Sequence, residues 1–173
     1  MSLSPQPALG PSEGYLSVTI GNLHVVRWLE AIPSLHSLDA IIDTVRGLAA
    51  TRPGLHYCGI SDDRTGGPES RQLAGVLVRR AIDLLQVVES AHIVIPGTTA
   101  KATLARSLYR SMVLAGRTTG RVLGHRAGEL SRRVHIHQDL DDVLRELGPA
   151  LVAPPEEILS VLAKNGLLDD LVR

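Results

Sequence analysis

An α/β fold, built on a mixed and mainly parallel sheet of about five strands and closed by a C-terminal helical extension, is what this sequence predicts. Two alternating segments open the chain, YLSVTI and LHVVRW, separated only by Gly21-Asn22. Short apolar runs then alternate with longer stripes of helical period. The run AHIVIPG, residues 91–97, lacks alternation, which suits a strand covered on both faces.

The elements follow in order. Residues 15–28 read as a β-hairpin, because Gly21 and Asn22 both tolerate positive φ. Alternation puts Tyr15, Ser17 and Thr19 on one face and Leu16, Val18 and Ile20 on the other. Pro33-Ser34 opens a helix whose apolar positions are Leu35, Leu38, Ile41, Ile42, Val45 and Leu48, and Arg52-Pro53-Gly54 ends it. LHYCGIS, 55–61, is a short strand. The stripe Leu73, Val76, Leu77, Ala81, Leu84, Leu85 and Val88 predicts a helix ending near Ser90. After the strand at 91–97, residues 98–117 are helical, with Arg106 and Arg110 on one face. Residues 118–131 form a glycine-containing connection. RVHIHQ, 133–138, is a strand, and 139–148 is a helix with Asp139 as N-cap. Pro154-Pro155-Glu156-Glu157 starts a last helix, which Asn165-Gly166 stops. The order is β-β-α-β-α-β-α-β-α plus a final helix, so the crossovers are parallel and the hairpin supplies one antiparallel edge. The division expected is a disordered lead-in over 1–14, rich in Pro, Ser and Gly, an α/β domain over 15–148, and the extension over 149–173.

Composition excludes several classes. Formal net charge is zero, and only Lys101 and Lys164 are lysines among 18 basic residues. No basic face of the kind nucleic acid requires is indicated, and one Trp, three Tyr and no Phe give no base-stacking platform. The lone Cys58 lies inside a strand, which excludes a disulfide framework and fits a buried small hydrophobe in a reducing cytoplasm. No apolar run reaches membrane-spanning length, and the N-terminus lacks the charged and apolar regions of a secretory signal. No cofactor motif is complete.

Ligands of open α/β sheets gather at the carboxyl ends of the strands. The first segment there is SDDRTGGPESRQL, 61–73. Its plainest reading is a capped strand-to-helix turn with a solvated acid pair. Its functional reading uses Ser70, near a helix N-terminus, where a phosphate would meet free N–H groups and the positive end of the dipole. Thr65 is a second phosphorylation candidate, and Asp62, Asp63, Arg64 and Arg71 make up the rest of an interaction or ligand loop. Asp62 and Asp63 could also contribute to a Mg²⁺ site, although no third acid stands at a strand end.

The second segment is IPGTTAKAT. Ala100 replaces the glycine that a complete P-loop requires before Lys101, so N-capping by Thr98 or Thr99 is the simpler reading. Together, Asp62, Asp63, Thr98 and Lys101 define an alternative function, a small enzyme or binding protein handling a phosphate or acyl group. The histidines define another. His135 and His137 share one strand face, and His56 and His92 lie near the starts of other strands, so strand order decides whether they meet at the amino-terminal edge of the sheet. Zinc would need three or four such ligands, and no Cys or acid spacing marks a metal site. G-x-S-x-G is absent.

The hairpin, the β/α succession and the short loop after the third strand resemble the STAS (SpoIIAA-like) family, the fold of bacterial anti-sigma factor antagonists, over roughly residues 15–148. The ending VHIHQDLDDVLRELG is similar to that family's last strand and helix, with Val143, Leu144 and Leu147 at its apolar positions. The resemblance implies a phosphorylatable residue in the loop holding Thr65 and Ser70. The family's Asp-Ser-Ser-Gly-like segment is absent here. It also implies a non-enzymatic regulatory or protein-interaction module in the cytoplasm, whose partner is a regulatory protein. The working surface would be the 62–70 loop with Arg71, Arg79 and Asp83. The extension, with Ile158, Leu159, Leu162, Leu167 and Leu168, has apolar surface to pack on the domain or on a second copy as a homodimer.

Overall fold

A computed structural model describes residues 14–30, 34–61, 79–123 and 132–168. It is an α/β structure with one mixed sheet of five strands in the order β1-β2-β3-β4-β5. These are β1 (Tyr15–Ile20), β2 (Leu23–Trp28), β3 (His56–Ile60), β4 (Ser90–Val94) and β5 (Val134–His137). The helices are α1 (Leu35–Ala49), α2 (described over 79–85), α3 (Ala100–Leu123), α4 (Leu140–Leu147) and α5 (Pro155–Lys164), with a 3₁₀ turn at Gly148–Ala150.

β1 and β2 pair antiparallel, Val18 opposite Val25, and every later pair is parallel. Sequential strand order has a consequence. Right-handed crossovers that always step in one direction lay their helices on the same face. α1 and α2 accordingly share a core with Tyr15, Val26, Trp28 and Tyr57. The opposite face carries Val18, Ile20, Val25, Cys58, Ile60 and Val94, and α4 and α5 cover it. The alternation read in β1 is therefore buried on both sides, Tyr15 under one layer and Val18 under the other.

Local chemistry sets the helix ends. Ser34 Oγ accepts from Ser37 N–H at 3.1 Å and caps α1. Asp139 Oδ1 accepts from Asp142 N–H at 2.8 Å and caps α4. Pro155 occupies the first turn of α5, Glu156 and Glu157 face its dipole, and Gly166 (φ 72°) leaves it in a conformation that favours glycine. Ile158, Leu162 and Leu167 are fully buried against the sheet, each contributing roughly 1.5–3 kcal/mol of transfer free energy. The extension thus packs on its own domain. Asn22 in the hairpin turn fastens it: its Nδ2 donates to Gly54 O (3.1 Å) and Ala150 O (2.9 Å), and its Oδ1 accepts from Val152 N–H (3.0 Å).

Two boundaries differ from the sequence reading. α2 ends at 85 rather than near Ser90, because Glu89 N–H donates to Leu55 O at 2.8 Å and draws the chain into the β3–β4 ladder. Val88 still reaches the core, from the turn rather than from a helix. α3 continues through Leu123, so 118–123 are helical and not a connection. Gly116 and Gly120 each cost only about 1 kcal/mol relative to Ala, too little to end a long helix. Residues 124–131, like the lead-in over 1–13, lie outside the described residues.

Candidate functional site

At the carboxyl ends of the strands, Ser61 N–H donates to Val94 O at 2.9 Å, so the chain leaves β3 and β4 side by side. Asp62, Asp63, Arg64, Thr65, Ser70 and Arg71 lie outside the described residues. Thr98 and Lys101 are exposed, and the cap of α3 is Thr99, whose Oγ1 accepts from Ala102 N–H at 3.1 Å. A cation embedded at this end is Arg106, a residue the sequence reading placed only on a helix face. Its guanidinium is buried and donates to Ile95 O (2.6 Å) and Gly97 O (2.8 Å), tying α3 to the end of β4. Asp83 pairs with Arg80, which also holds Asp39 of α1 at 2.8 Å.

Among the described residues, a dense polar constellation lies elsewhere. Register places His56 opposite Ser90 and His92 opposite His135. Side chains two residues apart share a face, so Ser90, His92, His135 and His137 join His56 on the side covered by α4 and α5. His56 Nδ1 is 2.8 Å from Ser90 Oγ, Ser90 Oγ is 2.8 Å from His92 Nε2, and His92 Nδ1 is 2.9 Å from His137 Nε2. The rings of His92 and His135 stack at 4.9 Å, and those of His92 and His137 at 5.1 Å. α4 adds Glu146, whose Oε1 is 2.8 Å from His135 Nδ1 and whose Oε2 is 3.7 Å from His137 Nε2.

Strand order therefore brings together all four histidines named from sequence. The array does not follow the amino-terminal edge; it runs diagonally from the start of β3 to the end of β5. Ser90 and Glu146 were missed. Ser90 could have been found from its i, i+2 relation to His92, whereas Glu146 required knowing which sheet face α4 covers.

Burial favours the neutral form of His56, His92 and His137. It lowers the His92 pKa to about 3, helped by the neighbouring His135, His137 and His56. Burial also lowers His137, against the opposing pull of Glu146, and lowers His56, against Glu89. Each neutral imidazole has one N–H and one lone pair. The Glu146 carboxylate near His137 Nε2 favours a proton on that nitrogen. The chain of donors then runs from His137 Nε2–H to His92 Nδ1, from His92 Nε2–H to Ser90 Oγ, and from the Ser90 hydroxyl to His56 Nδ1.

At the outer side of β5 the array borders an open cleft of about 490 Å³, whose wall on α3 is Arg110, Val113 and Leu114. Arg110 Nη2 donates to Ile136 O at 3.4 Å. Among the described residues, no helix is long and apolar enough to cross a membrane. Compared with family models, curated proteins and solved structures, the chain matches none of them.

Proposed function

We propose that this chain is a non-enzymatic regulatory or protein-interaction module of STAS type, resembling anti-sigma factor antagonists and switched by phosphorylation within 62–70. The observation that carries the reading is the place of β3. It is the middle strand of five, parallel to both neighbours, and its carboxyl end passes directly into the segment bearing Thr65 and Ser70. In the family it resembles, the phosphorylatable residue follows that strand. The carboxyl ends of parallel strands are also where an open α/β fold gathers ligands. The buried, unpaired Cys58 agrees with a reducing cytoplasm. A second copy of the chain stays among the partners of this reading, although Ile158, Leu162 and Leu167 are buried within one chain and so would not form its seam.

Phosphopeptide mapping of the protein isolated from its native host, with intact mass as a control, tests this. Phosphate on Ser70 or Thr65 is expected, together with opposite effects of Ser70→Ala and Ser70→Asp on partner binding. An unmodified segment across growth conditions would overturn the switch.

A further inference from the structure

We propose that His92 Nδ1, His137 Nε2 and a carboxylate oxygen of Glu146 form a three-ligand site for one divalent transition-metal ion of the zinc class, its fourth position open to the cleft beside β5. The inference is independent of the phosphorylation reading. The three donor atoms lie within 4.8 Å of one another. Ligands around a tetrahedral ion with bonds of about 2.0–2.1 Å sit about 3.3 Å apart. Two of the three separations, 2.9 Å between the two imidazole nitrogens and 3.7 Å from His137 Nε2 to Glu146 Oε2, bracket that value, and the third, from His92 to Glu146, is within 4.8 Å. Small side-chain adjustments would center all three on an ion.

The surroundings fit ligand roles. A metal-bound histidine is normally held through its other nitrogen. His92 Nε2 is held by Ser90, and Ser90 in turn by His56. A carboxylate ligand is normally anchored as well, and His135 Nδ1 holds Glu146 Oε1 at 2.8 Å. The other oxygen, Oε2, lies 3.7 Å from His137 Nε2, too far for a hydrogen bond. Binding would replace the hydrogen shared by His92 and His137: His137 shifts its proton from Nε2 to Nδ1, and both facing nitrogens then present lone pairs. Two nitrogens and one oxygen suit Zn²⁺, Co²⁺ or Ni²⁺, whereas Mg²⁺ and Ca²⁺ call for oxygen shells. Three protein ligands with one open position differ from the closed four-ligand set of a structural zinc.

The test uses the full chain, purified without a histidine tag, stripped with chelator and titrated calorimetrically with Zn²⁺, while metal analysis gives the stoichiometry. One ion per chain is expected, unaffected by excess Mg²⁺ or Ca²⁺. Glu146→Gln, at an exposed helix position, should weaken binding at least about tenfold while the fold is retained. His137→Gln should do the same, and His36→Ala, on the exposed side of α1, should leave binding unchanged. Since a His92 variant disturbs a buried position, nitrogen NMR of the wild type replaces it: Zn²⁺ should shift His92 Nδ1 and His137 Nε2 and leave His24 unmoved. No stoichiometric uptake overturns the proposal, as does uptake that folded Glu146→Gln and His137→Gln proteins retain at wild-type affinity.

Discussion

His92 Nδ1 lies 2.9 Å from His137 Nε2, joining β4 and β5 through two neutral imidazoles that share one hydrogen. A proton on His137 Nε2, which the Glu146 carboxylate favours, has His92 accept at Nδ1 and donate at Nε2 to Ser90. In the metal-free protein, nitrogen NMR should show His92 as the Nε2–H tautomer. That state should persist from about pH 8 to about pH 5, because its pKa is lowered to about 3. Ser90→Ala should remove the acceptor at Nε2 and mix the two tautomers. A His92 that titrates with an ordinary histidine pKa would contradict the arrangement.

Acid should destabilise the fold through a second histidine. His24 is buried between the sheet and the α1–α2 layer, and burial first, then the Arg52 charge, lowers its pKa to about 4. In the unfolded chain it takes up a proton near the ordinary pKa of 6.5; in the fold it stays neutral to about pH 4. The stabilisation is therefore complete above about pH 6.5, is lost as pH falls toward about 4, and amounts to roughly 3 kcal/mol for this group. His92, His137 and His56 act in the same direction. His24 Nδ1 bonds Thr19 Oγ1 at 2.8 Å, but its buried Nε2 has no partner among the described residues. Replacing both residues together, Thr19→Val with His24→Leu, should make the midpoint of urea unfolding less dependent on pH and at least preserve stability at neutral pH.

Cys58 should be inert in the native protein. Its side chain is fully buried under α4 and α5, and burial pushes its thiol pKa up to about 12. Thiolate is the reactive form, so alkylation at about pH 8 should proceed only as the structure opens and become rapid in denaturant. Fast labelling under native conditions would mean that the C-terminal layer does not stay closed over the sheet.

Asn22 should act as a fastening between distant segments. Its side chain makes three hydrogen bonds, reaching Gly54, Ala150 and Val152. With buried bonds worth about 0.5–1.5 kcal/mol each, Asn22→Ala should cost roughly 2–3 kcal/mol, read as a lower denaturant midpoint at unchanged slope. A loss no greater than that of an exposed turn substitution would show that the C-terminal layer is held by its apolar contacts alone.

What the sequence determined by itself was local. The Gly21-Asn22 hairpin, the caps at Ser34 and Asp139, and the Pro155 start and Gly166 stop all depend on neighbours a few residues away, whose types state the backbone requirement directly. The ends of α2 and α3 were misjudged because periodicity cannot weigh a helix against a competing strand bond at Glu89, nor against two tolerated glycines. Only the tertiary structure decided which faces meet. His56 and Ser90 are 34 residues apart, and His92 and His137 are 45 apart; they touch because the strands are laid down in sequential order at one register. A shift of one residue would turn each strand's histidines to the opposite face. Glu146 joined them only when α4 docked on that face, a choice governed by the burial of Val143, Leu144 and Leu147, which the short-range pattern of the helix leaves open.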